Sequence, residues 1–203
     1  TRIKNSEHEK NEIKKFTKLI QEISKHNFMP ITIGGKIKNL NQIYAYLKNG
    51  ADKISINSRA FKDPKFINEA AREFGSQCIV VSIDVKKINN KYKVFIDNGS
   101  TNTNIDLVDW VDIIQSEGAG EILINSIDRD GSKTGYDFKI LDKLKNKIKI
   151  PLIFCGGVGH WKDFKMALKK KEIDAVAAAN IFHHFDQSDY LAKDYLIKNK
   201  IKN

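Results

Sequence analysis

Cysteine and proline are both scarce in this sequence, which argues against several classes of small protein. Only two of the 203 residues are cysteine, Cys78 and Cys155, and neither lies in a CxxC or Cys/His spacing. The pattern argues against a disulfide framework and a zinc site, and favours a reduced protein. With 3 prolines and no Gly/Ser or Gln/Asn tract, the composition is that of a globular chain.

Long apolar runs are missing too. No stretch approaches the roughly 20 apolar residues that span a bilayer. The first ten residues, TRIKNSEHEK, lack the apolar segment of a signal peptide. We therefore expect no membrane partner and a cytoplasmic location.

Arginine makes up only four of the 35 basic residues. Proteins that read nucleic-acid sequence usually rely on arginine forks, so the net charge of +10 does not by itself indicate such a partner. Lysine-rich stretches such as Lys139 to Lys149 are typical of solvated helix faces. No GxGxxG motif follows the first predicted strand, and the five histidines show no ligand spacing. We expect no nucleic acid, no cofactor and no metal.

Six short apolar runs recur along the chain, and runs that are apolar on both faces are typical of buried parallel strands. Amphipathic stretches of helical period separate them, which predicts an α/β fold in one domain, residues 1–203. The predicted strands are Pro30–Gly35, Lys53–Ser58, Cys78–Val85, Glu121–Ile127, Pro151–Gly157 and Ala175–Phe182. The predicted helices are Glu7–Lys25, Leu40–Lys48, Pro64–Phe74, Leu107–Glu117, Phe138–Leu144, Trp161–Lys170 and Ser188–Lys198.

One segment, Lys86 to Asn104, breaks this alternation. Its KYKVFID stretch alternates apolar and polar residues, and NN and NG pairs flank it. The pattern predicts a small hairpin after the third strand, where α/β enzymes place substrate loops.

An internal repeat favours a barrel over an open sheet. The unit that runs from Gly34-Gly35 through Asp52 to Asn57 recurs from Gly156-Gly157 through Asp174 to Asn180. The second glycine precedes the aspartate by 17 residues in both copies. A (βα)8 barrel of two similar halves predicts such a duplication, although chance similarity of two βα units is the alternative.

The glycine pairs and the polar residues at the strand ends point to two anion sites. Glycine lets a phosphate approach backbone N–H groups, and the next helix N-terminus favours negative charge. Two copies in opposite halves therefore predict a substrate with a phosphate at each end. Asp84 ends a buried strand and is a candidate general acid or base; the alternatives are a helix N-cap or a partner for Lys86 or Lys87.

The stretch SIDRDGSKTGYD is the most distinctive in the chain. Asp128, Asp130 and Gly131 suit a substrate-orienting turn, because two carboxylates lie beside a glycine that accepts positive φ. A calcium loop is the alternative, but the stretch lacks the terminal Glu of an EF-hand.

The segments GADKISINS, FGSQCIVVSID, GAGEILINSIDRDGSKTGYD and CGGVG resemble the cyclase subunit of imidazole glycerol phosphate synthase. That family has a TIM barrel fold. It combines ammonia with a doubly phosphorylated, ribose-like substrate and forms imidazole glycerol phosphate and an aminoimidazole carboxamide ribotide. The resemblance implies a lyase of histidine biosynthesis.

The resemblance also implies roles for residues at the carboxyl ends of the strands, where Asp84 matches a catalytic aspartate. The positions that match phosphate and substrate contacts are Gly35, Asn57 and Ser58 at one phosphate, Gly157, Ala179 and Asn180 at the other, and Asn125, Asp130 and Gly131 along the substrate.

At the opposite ends of the strands, Lys53 and Glu121 match half of the charged gate that admits ammonia. Asp52 and Gln77 match positions near that entrance and the partner interface. The implied partner is a glutaminase (glutamine amidotransferase) subunit in a heterodimer.

The sequence departs from the family pattern at three places. The first two strands, with the other catalytic aspartate, have no counterpart. We expect a fragment of a longer chain; the alternatives are a broken protein or one completed by another chain. The glycine triplet reads Gly34-Gly35-Lys36, and Asn180 replaces a serine.

Alternative functions remain open. Lys36 slightly favours a paralogue that serves the amidation of surface-polysaccharide sugars. The absent aspartate would suit a non-catalytic module that docks or channels ammonia for an amidotransferase. A sister isomerase lacks a loop of the SIDRDGSKTGYD type and is disfavoured.

Overall fold

The computed structural model describes residues 2–183 and 188–201, with side chains from residue 11 onward. The helices are α1 Arg2–His26, α2 Leu40–Lys48, α3 Ser58–Lys62, α4 Lys65–Phe74, α5 Leu107–Ser116, α6 Lys139–Leu144, α7 Trp161–Leu168 and α8 Ser188–Lys198. The strands are β1 Thr32–Gly34, β2 Lys53–Ile56, β3 Ile79–Ile88, β4 Lys91–Ile96, β5 Thr101–Asp106, β6 Glu121–Ser126, β7 Leu152–Cys155 and β8 Ala175–Val176.

Six strands form a parallel sheet in the order β1-β2-β3-β6-β7-β8. The sheet curls into a half-barrel, which confirms the predicted α/β class and is consistent with a TIM barrel. Over the described residues, β1 pairs only with β2 and β8 only with β7. In that part of the chain, no helix is both long and apolar enough to cross a bilayer.

Alternation along the strands separates a structural face from a cavity face. On β3, Val81, Ile83 and Val85 are fully buried in the core. The residues between them, Ser82 and Asp84, line a cavity. Because successive strand side chains point to opposite faces, an apolar strand can present polar groups on one face only.

The repeated aspartates have the same structural role. Asp52 Oδ2 accepts the Ile31 N–H at 2.7 Å, and Asp174 Oδ2 accepts the Leu152 N–H at 2.8 Å. Each aspartate also donates its own N–H to the carbonyl of that same residue. Each therefore ties the start of its own strand to the start of the neighbouring strand, so the sequence repeat is also a structural repeat.

The predicted hairpin is present, but it grows directly out of β3. That strand continues to Ile88, and Asn89 and Asn90, both at positive φ, turn the chain into β4. A second turn at 97–99 leads to β5, which pairs with β4. Asparagine accepts positive φ more readily than most residues, which explains the turn.

Five of the six predicted strands are longer than the strands in the structure, and the last differs most. The run Ala175–Phe182 is extended only at Ala175–Val176, and Asn180–His183 form a 3-10 turn. The AAAN segment after Val176 has no β-branched residue to favour extended backbone. Cys78 lies in a 3-10 turn before β3, not in the strand, and Cys78 and Cys155 are both free thiols.

Candidate active site

The Asp84 carboxylate is held by two amide side chains from neighbouring strands. Asn57 Nδ2 donates to Asp84 Oδ2 at 2.9 Å, and Asn125 Nδ2 donates to Asp84 Oδ1 at 3.1 Å. Donors on both oxygens fix the orientation of the carboxylate. The sequence left two structural alternatives for Asp84, a helix N-cap and a partner for Lys86 or Lys87. Neither describes these contacts.

Strand register produces this arrangement. Asp84 on β3 lies beside Asn125 on β6, which lies beside Cys155 on β7. Adjacent strands are about 4.8 Å apart, so three polar side chains at one level come within contact distance.

Asn57 occupies the N-cap position of α3 but makes no capping hydrogen bond with its side chain. Its amide turns to Asp84 instead. Asparagine caps commonly stabilise helices, so this helix start forgoes a local interaction in favour of the site.

Asn125 contributes a second unusual feature. Its Oδ1 is buried and accepts no hydrogen bond from any described residue. A buried acceptor without a donor costs about 1–3 kcal/mol. Such groups are uncommon in folded proteins, and they occur at functional sites.

The two loop aspartates of SIDRDGSKTGYD separate in the structure. Asp130 and Gly131 line the cavity. Asp128 turns away, and its Oδ2 accepts the Lys87 N–H at 2.7 Å, which joins the loop to the end of β3. Only one of the pair is therefore available to a ligand in the cavity.

A single cavity of about 220 Å³ collects most of the predicted site, and we call it the Asp84 cavity. Residues from four strand ends surround it. Its lining is Ser82, Asp84, Leu123, Asn125, Asp130, Gly131, Cys155, Gly156, Gly157, Val158, Ala178, Ala179 and Asn180.

The sequence interpretation missed Ser82, Leu123, Cys155, Val158 and Ala178 in this lining, whereas Gly156 belongs to a glycine pair that it assigned to an anion site. Alternation could have indicated two of them, because Ser82 lies two residues before Asp84 and Leu123 two before Asn125. Cys155 was assigned only to a buried strand.

Gly157 is required by close packing. A Cβ there would lie 2.3 Å from the Gly135 carbonyl oxygen, and φ is +98°. The Gly135 N–H also donates to the Gly157 carbonyl at 2.7 Å. The glycine therefore lets the loop after β6 pack on the turn after β7, in addition to any role toward a ligand.

Side chains cap the starts of both α2 and α7, the helices that follow the two glycine pairs. Asn39 accepts the Gln42 N–H, and Gln42 accepts the Lys38 N–H. Asp163 accepts the Gly159 and His160 N–H groups. An anion would therefore contact the loop glycines and side chains before the helix ends.

Gly35 lies away from the Asp84 cavity. It lines a separate cavity of about 520 Å³ beside α1, together with Gly34, Lys36 and Lys38. A Cβ at Gly35 would meet nothing within 4 Å. Lys36 has φ +53°, a conformation that costs a lysine about 1 kcal/mol and a glycine almost nothing.

Ser58 contacts the hairpin. Its Oγ accepts the Asp97 N–H at 2.9 Å, and Lys62 forms an ion pair with the same aspartate at 3.2 Å. These contacts hold the β4–β5 turn beside the end of β2. A hydroxyl can still donate to a second group, so Ser58 remains a candidate phosphate ligand.

The Asp84 cavity is acidic. Burial, followed by the Asp130 charge, raises the pKa of the Cys155 thiol above its usual value, and Asp84 adds to the effect. The lining holds two carboxylates and, among described residues, no Lys, Arg or His. Phosphate binding here would rely on amide side chains and backbone N–H groups.

The two residues predicted to form half of an ammonia gate meet at the other ends of the strands. Lys53 forms an ion pair with Glu121, and both side chains are more than two-thirds buried. Asp52 holds Ile31, and the exposed Gln77 lies against Gly75 in the turn before β3. Among the described residues, Gln77 makes no polar contact that would assign it a role.

The chain matches the family described as histidine biosynthesis protein over residues 6–188. It is 46% identical over 184 residues to the imidazole glycerol phosphate synthase subunit HisF of Hydrogenobaculum sp. (strain Y04AAS1), and the match covers 90% of this chain and 73% of that relative.

Two further relatives give similar values. The subunit HisF of Natranaerobius thermophilus is 42% identical, and the match covers 91% of this chain and 73% of the relative. A putative subunit named hisF2 from Vibrio vulnificus is 43% identical, and the match covers 90% of this chain and 67% of the relative. The resemblance in the motifs is thereby confirmed, and the chain belongs to the family of histidine biosynthesis proteins that contains imidazole glycerol phosphate synthase subunit HisF.

Proposed function

We propose that this chain is the ammonia-dependent cyclase and lyase subunit of an imidazole glycerol phosphate synthase, with Asp84 as a general acid or base. One observation carries the proposal. Asp84 is oriented by Asn57 and Asn125 in a cavity that also holds Asp130, Gly131 and Asn180. A carboxylate with a fixed orientation can exchange a proton with a bound ligand in one defined geometry.

The two ends of the doubly phosphorylated substrate would lie on opposite sides of Asp84. We place one phosphate near Gly157, Ala179 and Asn180, where small residues leave room for it. The other lies near Asn57 and Ser58, with Gly35 as a more distant contributor. This placement uses both copies of the repeat.

Ammonia would enter at the opposite end of the strands, past the Lys53–Glu121 pair. That pair must separate or shift for a molecule to pass, and a partly buried ion pair can do so only against an attraction. We propose that a glutaminase subunit binds this face, around Asp52 and Gln77, and delivers ammonia to the gate. The subunit names of the relatives support a partner of some kind.

The test is turnover of the doubly phosphorylated ribonucleotide with ammonium salts, for this chain and for a version extended upstream by two strand-helix units. We expect turnover in at least the extended version. Asp84→Asn should reduce it by ~100-fold or more while substrate still binds. Asp112→Asn removes a surface carboxylate paired with Lys147 and serves as the matched control.

Two outcomes would contradict the proposal. Turnover that persists in Asp84→Asn would remove Asp84 from the mechanism. Absence of turnover in both folded versions would instead favour the polysaccharide paralogue or a non-catalytic partner.

A further inference from the structure

The loop of residues 127–138, which we call the aspartate loop, is attached to the β3–β4 hairpin at both of its ends. At its start, the Ile127 N–H donates to the Val85 carbonyl at 2.9 Å, and Asp128 accepts the Lys87 N–H. At its end, the Tyr92 hydroxyl donates to Asp137 Oδ2 at 2.7 Å. The hairpin therefore contacts the loop on either side of Asp130 and Gly131.

The Tyr92–Asp137 contact is the buried one of these attachments. Tyr92 is 4% exposed and Asp137 is 7% exposed. The other hydrogen bond to the Asp137 carboxylate comes from the Lys139 N–H and is longer, at 3.3 Å. A buried carboxylate must be hydrogen-bonded, and the Tyr92 hydroxyl donates the shorter of the two hydrogen bonds that stabilise Asp137.

Tyr92 remains a donor under all ordinary conditions. Burial, then the hydrogen bond to Asp137, raises the pKa of Tyr92 well above its usual value. The contact does not depend on titration of the phenol near neutral pH.

The middle of the aspartate loop contains no regular helix or strand. Gly131, Lys133 and Gly135 all have positive φ, which indicates a series of turns and no regular element. Within the loop, the Ser132 N–H donates to the Arg129 carbonyl, and the Arg129 and Ser132 side chains contact the Thr134 hydroxyl. These local turns do not by themselves fix the loop relative to the sheet, so the positions of Asp130 and Gly131 also depend on the attachments of the loop to its surroundings.

We propose that Tyr92 and Asp137 form a brace that positions Asp130 and Gly131 at the Asp84 cavity, which makes Tyr92 a positioning residue for the reaction. Neither member of the brace lines that cavity. The catalytic consequence rests on the proposed function, whereas the mechanical consequence does not.

The variants separate the hydroxyl from the bulk of the ring. Tyr92→Phe removes the donor and leaves the Asp137 carboxylate buried. Asp137→Asn keeps an acceptor for the Tyr92 hydroxyl and is the conservative variant. Tyr46→Phe is the matched control, since Tyr46 is also 4% exposed and its hydroxyl accepts a hydrogen bond from Gln42 Nε2 at 2.9 Å.

Hydrogen exchange of the complete chain tests the mechanical step. We expect the amides of residues 130–135 to exchange at least tenfold faster in Tyr92→Phe than in the wild type, and to stay near the wild-type rate in Asp137→Asn and Tyr46→Phe. Equal exchange in Tyr92→Phe and the wild type would overturn the brace.

Steady-state kinetics of the turnover-competent version test the positioning step. We expect Tyr92→Phe to lower kcat about tenfold with KM changed less than threefold, and Tyr46→Phe to leave both unchanged. Faster loop exchange with an unchanged kcat would overturn the positioning role. If the wild type itself shows no turnover, the proposed function fails while the exchange result still decides the brace.

Discussion

The two repeated units, β1–α2–β2 and β7–α7–β8, share the aspartate that ties their strands together but differ at the glycine pair. Gly157 packs against Gly135 so tightly that a Cβ would overlap it, whereas a Cβ at Gly35 would meet nothing. Lys36 follows the first pair and Val158 the second. The equal sequence spacing thus gives both units the same backbone arrangement. The residues packed around each unit determine whether its glycines are in close contact or exposed to open space.

The final asparagines of the two units differ as well. Asn57 donates to Asp84, whereas Asn180 lies near Gly131, whose Cβ would be 3.5 Å from Asn180 Nδ2. We infer that the first unit orients the reacting carboxylate and that the second shapes the cavity wall.

The glycine pairs give the largest expected difference. Gly157→Ala should destabilise the fold by about 3 kcal/mol or more, because the new Cβ meets backbone at positive φ. Gly35→Ala should cost about 1 kcal/mol, since only the backbone conformation is unfavourable. Urea unfolding midpoints measure both. Gly118→Ala is the control, because Gly118 also has positive φ and its Cβ would make only an ordinary contact, 3.7 Å from the Ala71 Cβ. If Gly157→Ala and Gly35→Ala lower the free energy of unfolding equally, the two glycine pairs do not differ in packing.

Substitutions of Asn57 and Asn180 should affect different kinetic constants. Asn57→Ala should lower kcat about tenfold, because the loss of one charge-assisted hydrogen bond costs about 1.4 kcal/mol or more. Asn180→Ala should raise KM and leave kcat within about twofold, as expected for a binding contact. The opposite pattern, with kcat lost in Asn180→Ala alone, would exchange the roles of the two units.

Lys36→Gly should make the first glycine loop more like a glycine triplet. Removal of the strained lysine should stabilise the chain by about 0.5 kcal/mol, because relief at φ +53° exceeds the entropy gained by the unfolded chain. Thermal unfolding would show a Tm higher by about 1–2 °C. A lower Tm would mean that the lysine side chain makes a stabilising contact.

The smallest expected effect concerns the thiol reactivity of Cys155, which precedes the second glycine pair. The residue in the same place before the first pair is Ile33. Because the pKa of Cys155 is raised by burial and by Asp130, its thiolate should appear only at a pH above that of an ordinary thiol. The pH at the midpoint of the iodoacetamide rate profile measures this in a Cys78→Ser background, and Asp130→Asn should lower that midpoint. A midpoint at the ordinary thiol value would contradict an acidic, buried site.

The amino-acid pattern predicted the parallel strands, the hairpin and the repeat because these depend on local periodicity and turn residues. The sequence pattern also placed Asp84 and Asn180 at strand ends and Asp130 in a substrate-orienting turn, whereas Asn125 was assigned only through the family resemblance. Three features could not be read from the chain. They are the Asn57–Asp84 hydrogen bond, the Gly157–Gly135 contact and the Tyr92–Asp137 hydrogen bond. Each joins residues distant in sequence, the first and third through side chains and the second through backbone.

The most direct test of the central claim, that the two repeated units hold the two phosphates of one ligand, is a phosphorus NMR titration of the doubly phosphorylated ribonucleotide with the complete chain. We predict that both phosphorus resonances shift and broaden. Ser58→Ala should then weaken the change at one resonance, and Asn180→Ala the change at the other. If only one phosphorus resonance shifts in the wild type, the account is contradicted. It is also contradicted if both variants weaken the change at the same resonance.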